Sequence, residues 1–177
     1  MTHRGVHRPP ADPSTPRSPD PARVYARSLD ILARAPRSIR DLRRRLLLKG
    51  EQEADVEATV ERLMAAGLLD DAAYARAFVR AKVSSQGFSR RRLQQELAKR
   101  GVARDIADAA IVEVLHDDNV DETANIDRVA RKKLRTLSGL DPDTQRRRLF
   151  AFLARRGYDV DDVRAVVERL RHEPETR

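Results

Sequence analysis

The feature that most constrains this chain is a segment that occurs three times. The segments SIRDLRRRLLLKG (38–50), SRRRLQQELAKRG (89–101) and QRRRLFAFLARRG (145–157) each end in a basic residue and a glycine. Counting back from that glycine, leucines stand at the fourth and the eighth position of every segment, which is the spacing of one buried helix face. Such internal repetition indicates a tandem array of small helical repeats. We refer to Gly50, Gly101 and Gly157 as the marker glycines.

Each of these segments is predicted to be the middle helix of a three-helix repeat. A glycine that follows a basic last turn is typical of a helix C-terminus. Ser38 and Ser89 are natural N-caps, and in the third repeat Asp141 followed by Pro142 has the same function. A helical apolar pattern also precedes and follows each segment, whereas no alternating run predicts a strand.

The predicted fold class is therefore all-α, with three tandem three-helix repeats forming an elongated, curved body. The N-terminal stretch MTHRGVHRPPADPSTPRSPD is rich in Pro, Arg and Ser, which predicts a disordered arm. The expected boundaries are 1–21 for the arm, 22–69, 70–117 and 118–173 for the three repeats, and 174–177 for a tail.

Composition agrees with helix packing and excludes several classes of protein. The chain has 177 residues, of which 40% are hydrophobic, with no Trp, four Phe and three Tyr. Its core must be built mainly from aliphatic side chains. The absence of cysteine excludes disulfides and thiolate metal sites and fits a cytoplasmic location. No apolar run approaches the roughly 18 residues that cross a membrane, and the N-terminus lacks the apolar segment of a secretory signal.

The positive charge is concentrated in the predicted middle helices. The net charge is +8, and each middle helix has five Lys or Arg against one acid. Basic residues in a last turn, such as Lys49, Arg100 and Arg156, complement the helix dipole. The arginines in the first half of these helices interact unfavourably with the dipole. Because this energetic cost recurs at equivalent positions of the repeats, it indicates that these side chains have a function. The predicted contact residues are Arg40, Arg91, Arg92, Arg147 and Arg148, with Arg90 and Arg146 behind them. A merely solvated face is the alternative.

Catalysis is not expected from this sequence. The four histidines share no helix face with other ligands at metal-binding spacing, and there is no Gly-rich phosphate loop and no cysteine nucleophile. Asp70 and Asp71 follow GLL at a helix start, where capping by Asp70 and a first-turn position for Asp71 explain them. We therefore predict no enzyme activity, no cofactor and no metal.

The aromatic residues are predicted to be structural. Tyr74 with Phe78, and Phe150 with Phe152, stand at spacings that are more typical of a helix core than of platforms for stacking bases. Phe88 and Tyr158 follow breaks between helices and are expected to fill the joints there.

The central part of the chain resembles the RecX family of bacterial recombination regulators. The resemblance rests on GLLDDAAYARAFV (67–79) and GFSRRRLQQELAKRGV (87–102) and extends over about 22–170. It implies an all-helical, non-enzymatic protein that lies in the groove of the RecA filament on single-stranded DNA. It also implies inhibition of RecA ATP hydrolysis, strand exchange and co-protease activity, or of filament growth. A basic body would meet both acidic protein and phosphate there, in a salt-sensitive manner.

Two other functions stay open at this point. One is a stand-alone DNA-binding protein built from helix-turn-helix-like units, with single-stranded and weak double-stranded DNA affinity and no sequence preference, since only Gln94 and Gln95 offer a base-reading pattern. The other is a helical scaffold for an acidic protein unrelated to recombination. In all cases we expect a monomer with no membrane contact.

Overall fold

Every secondary-structure element in residues 20–172, the part of the chain that the structure describes, is an α-helix. The structure is a computed structural model. The helices are α1 (Pro21–Arg34), α2 (Ile39–Leu48), α3 (Glu53–Ala65), α4 (Asp71–Gln86), α5 (Arg90–Lys99), α6 (Arg104–Asp117), α7 (Glu122–Arg135), α8 (Pro142–Arg155) and α9 (Val160–His172). The predicted three triplets of helices are confirmed. The predicted arm lies almost wholly outside the described residues, and so does the predicted tail.

The predicted start and stop signals act as expected. The Ser89 hydroxyl accepts a hydrogen bond from the Arg92 N–H at 3.3 Å, and the Ser38 hydroxyl accepts one from the Asp41 N–H at 3.1 Å. Asp70 caps α4 and Asp141 caps α8, in each case by accepting from a first-turn N–H. These bonds satisfy backbone donors that a helix start leaves unpaired, so the sequence determines where these helices begin.

The described residues form two compact units. The first consists of 20–36 and 42–68, and its core contains the fully buried side chains of Val24, Leu46, Val60 and Leu63. In this unit the buried Glu51 carboxylate accepts from Arg27 and, at 2.9 Å, from Arg23. A buried charge is tolerated when it is paired and hydrogen-bonded in this way.

The second unit consists of 37–41 and 69–172 and contains two apolar clusters. One lies among α4, α5 and α6 and includes the fully buried Leu93, Leu97 and Ile111. The other lies among α7, α8 and α9 and includes Leu153 and Val163. The leucines four and eight positions before each marker glycine are all buried, which confirms the predicted helix face.

Two equivalent joints inside the second unit connect the start of one middle helix to the end of another. In the first joint the Ser38 hydroxyl donates to the Arg100 carbonyl at 2.5 Å, and the Ile39 N–H donates to the Asp71 carboxylate at 2.9 Å. Ser38 and Ile39 belong to the short stretch 37–41 that the second unit includes.

The second joint uses the same groups at the corresponding positions of the chain. The Ser89 hydroxyl and N–H both donate to the Arg156 carbonyl at 3.1 Å, and the Arg90 N–H donates to the Glu122 carboxylate at 3.1 Å. In each joint the capping serine thus donates to a carbonyl that a helix end leaves unsatisfied, and the first N–H of the helix donates to a carboxylate. The first-turn acid of the neighbouring helix, Asp71 or Glu122, completes the set.

The marker glycines at the two joints allow this close approach. A Cβ on Gly101 would lie 2.6 Å from the Arg40 Cβ, and one on Gly157 would lie 2.8 Å from the Ser89 hydroxyl oxygen and 3.0 Å from the Arg92 N. Gly50 has the same positive φ, but nothing lies within 4 Å of its Cβ position. Gly50 is thus a natural control for the two joint glycines.

A buried tyrosine strengthens the second joint, as expected for Tyr158. Its hydroxyl donates to the Gly87 carbonyl at 2.9 Å and accepts from the Asn125 amide at 2.9 Å. Burial raises the pKa of Tyr158 to about 12, since the phenolate would lose its hydration. The neutral phenol, which can both donate and accept, is therefore the form that this joint requires.

The three marker glycines make the joints testable by substitution. Gly50→Ala should cost about 1–2 kcal/mol of unfolding free energy, from the left-handed backbone alone. Gly101→Ala and Gly157→Ala should each cost roughly 1–3 kcal/mol more, because the new methyl group displaces the docked helix start. Urea unfolding followed by circular dichroism measures the difference. Equal losses for the three variants would contradict the joint assignment.

The Tyr158 joint predicts a dependence on alkaline pH. A folded-state pKa raised above the unfolded value gives stability that is fully present below about pH 10 and is lost as the pH rises through about 12. Ultraviolet titration of the folded protein should show the Tyr158 phenol ionising near pH 12, and Tyr158→Phe should remove that step. Burial also raises the pKa of Tyr74, so Tyr74→Phe is the control and should leave the step near pH 12 in place. Loss of that step in Tyr74→Phe instead would assign it to Tyr74.

Candidate functional site: a basic surface on the second unit

All seven arginines predicted to make contacts lie in the second unit, and most of them are exposed. Arg40 is exposed at its end, although its aliphatic stem packs against Gly101. Arg91 and Arg148 are exposed and have no ion pair or side-chain hydrogen bond with any described residue. Arg90 is also exposed, and only its backbone N–H is used, by Glu122. These four side chains are available to an anionic partner.

Arg92 differs from its neighbours because it takes part in the second joint. Its guanidinium pairs with Glu96 at 3.0 Å and lies 5.6 Å from the centre of the Phe88 ring, and 32% of the side chain is exposed. Its stem packs against Gly157. A structural role is thus shown for Arg92, and its contact with a partner stays a prediction.

Arg146 and Arg147 lie beside a cleft between α8 and α9. Arg146 is 3.8 Å from Asp143, and Arg147 donates to the Thr144 hydroxyl at 3.0 Å. The cleft has a volume of about 480 Å³ and is open to solvent. Its lining consists of Arg146, Arg147, Phe150, Arg164, Val167 and Glu168. The cleft thus has an apolar floor bordered by three arginines and one carboxylate, and two of the arginines also pair with acids, Arg146 with Asp143 and Arg164 with Asp161.

The joints change the interpretation of the arginines at the start of α5. The sequence predicts that these arginines interact unfavourably with the dipole of their helix, and this energetic cost indicates a function for them. In the structure the carbonyl of Arg156 and the carboxylate of Glu122 lie at the same helix start. The carbonyl oxygen carries a partial negative charge and the carboxylate a full one, and both offset the unfavourable interaction. The contact of these arginines with a partner stays a prediction, which at α5 now rests on the exposure of Arg91.

Sequence reasoning missed a set of cations that lie on aromatic rings. Lys82 is 5.7 Å from the centre of the Phe78 ring, and Arg156 is 3.5 Å from that of Phe152. Further contacts of this type join Arg100 to Phe78, Lys82 and Arg92 to Phe88, and Lys133 to Phe152. The signal was present, since Phe78 precedes Lys82 by four residues, as Phe152 precedes Arg156, and residues four apart meet on a helix surface.

The same rings test the prediction that the aromatic residues are structural. Phe78, Phe88, Phe150 and Phe152 are half-buried and pack against the two apolar clusters of the second unit. That part of the prediction is confirmed. The rings are at the edge of each cluster, however, where Phe78, Phe88 and Phe152 also contact cations.

Within residues 20–172, no group of three or more His, Cys, Asp or Glu side chains is placed to hold a metal ion. None of the helices in that range combines the length and the apolarity needed to cross a membrane.

Three family models match consecutive parts of the chain. They describe the first, second and third three-helix domains of RecX and match residues 25–63, 70–111 and 121–167. The match follows the order of the three predicted repeats and covers more than half of the sequence.

Curated relatives agree with these models. The chain is 38% identical over 129 residues to the regulatory protein RecX of Amycolatopsis mediterranei, and the alignment covers 73% of this chain and 72% of the relative. It is 37% identical over 145 residues to the regulatory protein RecX of Streptomyces coelicolor, and this alignment covers 82% of this chain and 76% of the relative. The crystal structure of RecX from Lactobacillus salivarius has the same fold, with a TM-score of 0.67 and 18% sequence identity. The match covers 85% of this chain and 96% of that structure's chain.

The helical triplets, the order of the three domain matches and the extent of the similarity lead to one conclusion: the chain belongs to the RecX family of regulatory proteins.

Proposed function

We propose that this protein regulates homologous recombination and DNA repair by binding the RecA filament on single-stranded DNA and inhibiting the activities of RecA. These are ATP hydrolysis, strand exchange and co-protease activity. The observation that carries the proposal is the match of all three RecX domains, in order, along one chain. The acting species is a monomer in the cytoplasm, and it needs no cofactor and performs no catalysis.

The charge distribution of the second unit supports a contact with DNA inside such a filament. Arg91 and Arg148 are exposed without an acidic partner in the described residues. Phosphate binding by such side chains releases counterions from DNA, which makes the affinity depend on salt. The same charges speed association with a negatively charged filament.

The first experiment compares two titrations with this protein. One follows ATP hydrolysis by the cognate RecA on single-stranded DNA at two salt concentrations, and the other measures binding to the same DNA without RecA. Inhibition far below the concentration that binds DNA alone supports the proposal. Inhibition only where the protein already coats the DNA supports the alternative, a stand-alone DNA-binding protein without sequence preference. If the rate of ATP hydrolysis does not change, inhibition through the filament and inhibition by coating the DNA are both contradicted. The remaining alternative is then a scaffold for an acidic protein unrelated to recombination.

The exposed arginines give a sharper prediction. Arg91→Glu combined with Arg148→Glu should weaken inhibition of RecA. The plot of log affinity against log salt for single-stranded DNA should become flatter by roughly 0.7 for each phosphate contact removed. Competition titrations at several salt concentrations measure that slope.

Arg104→Glu combined with Arg171→Glu is the matched control. It changes the net charge equally, and the two side chains are 92% and 65% exposed on α6 and α9. The control should retain most of the inhibition. Equal loss in the two double variants would mean that net charge matters and that the position of Arg91 and Arg148 does not.

A further inference from the structure

Arg100 and Arg156 occupy equivalent positions, one residue before a marker glycine, but their surroundings differ. The Arg100 guanidinium donates to the Glu96 carboxylate at 2.6 Å and to the Glu96 carbonyl at 2.6 Å. The hydrogen bond from Arg100 lowers the pKa of Glu96, whose side chain is 13% exposed. Arg100 is therefore paired with a carboxylate of its own helix, which Arg92 and Lys99 also contact.

Phe152 stands where the third repeat would have the equivalent of Glu96, since each residue is five positions before its marker glycine. The Arg156 guanidinium lies 3.5 Å from the centre of the Phe152 ring, and its Nε donates to the Gln86 carbonyl at 2.6 Å. Arg156 has no carboxylate partner among the described residues. The ring and the carbonyl fix the guanidinium in place without neutralising it.

The positive charge at this position is reinforced by its neighbours. Lys133 lies 5.3 Å from the centre of the same ring, and the adjacent Arg155 is exposed. Burial lowers the pKa of Arg156, and the charge of Arg155 adds to that effect. The two terminal nitrogens of Arg156 have no hydrogen-bond partner among the described residues and are not buried by them. A partly desolvated cation with free donors favours an anion that supplies several acceptor oxygens.

We propose that Arg156, held on Phe152 beside Lys133, is a binding site for single-stranded DNA, in which the guanidinium contacts a phosphate and its outer face stacks on an unpaired base. This assignment rests on the proposed function, because it names the DNA contact that a regulator of a DNA-bound recombinase would use.

Two features favour a nucleic acid single strand over a free phosphate or a duplex. The positively charged surface extends further than one phosphate would need. The second joint brings the end of α8 next to the start of α5, where Arg91 has no side-chain partner among the described residues. A planar guanidinium that is already stacked on a ring offers its other face to a base, and base faces are exposed only in a single strand.

The repeat itself supplies the test substitution. Phe152→Glu places in the third repeat the residue that pairs with the equivalent arginine in the second, and leaves Arg156 in the chain. In fluorescence anisotropy with a labelled oligothymidine and no RecA present, this variant should bind about tenfold more weakly. Val112→Glu introduces the same charge change at a side chain that is 53% exposed on α6, and it should bind within about twofold of the unchanged protein. Equal affinities for the two variants would overturn the proposal.

A second substitution separates stacking from charge. Arg156→Lys retains the charge but removes the planar group, and it should weaken binding to the oligothymidine more than binding to a duplex of equal length. An equal loss on both DNAs would overturn the assignment to unpaired bases. Circular dichroism melting verifies that each variant is folded. The RecA titration remains independent of this test: an unaffected ATPase with an intact effect of Phe152→Glu would refute the proposed function and leave the DNA site standing.

Discussion

The hydrogen bond from a capping serine to the last carbonyl of another middle helix is the interaction on which the second unit depends. At both joints it satisfies a carbonyl that a helix end leaves unpaired, and the marker glycine lets the backbones approach closely enough. The first joint explains why two aspartates stand next to each other in the sequence. Asp70 begins α4, whereas Asp71 accepts a hydrogen bond from the first N–H of α2. Two adjacent carboxylates thus satisfy donors of two different helices.

Helix starts, helix ends and buried faces could be predicted from the sequence because each depends on residues within a few positions. Ser89 and Arg92 are three apart, and the buried leucines follow the period of one helix. The joints could not be predicted, because Ser38 and Arg100 are 62 positions apart and neither residue indicates its partner. A basic residue in a last turn fits the helix dipole whether or not a carboxylate lies beside it, so the dipole does not distinguish Arg156 from Arg100. The difference appears in the structure, where Arg100 pairs with Glu96 and Arg156 lies on the Phe152 ring.

The repeats show that one backbone pattern accommodates different side chains at equivalent surface positions. The position five residues before the marker glycine holds Glu96 in the second repeat and Phe152 in the third. Neither side chain is needed for the joint, which uses the backbone carbonyl of the following arginine. Because the joint uses backbone groups, a capping serine and a first-turn acid, the other side chains on the outer surface are free to change. An array of this type can therefore vary its binding surface without altering its fold.

The start of α8 has a further consequence for assembly. Asp141 has no hydroxyl to donate, and Pro142 lacks the N–H that Ile39 and Arg90 give to a neighbouring carboxylate. Repeat arrays with matching open ends can polymerise head to tail into fibres. The start of α8 lacks the donors that such a contact would need if it used the bonds made at the starts of α2 and α5. The same set of bonds therefore could not form between this helix start and the helix end of another molecule.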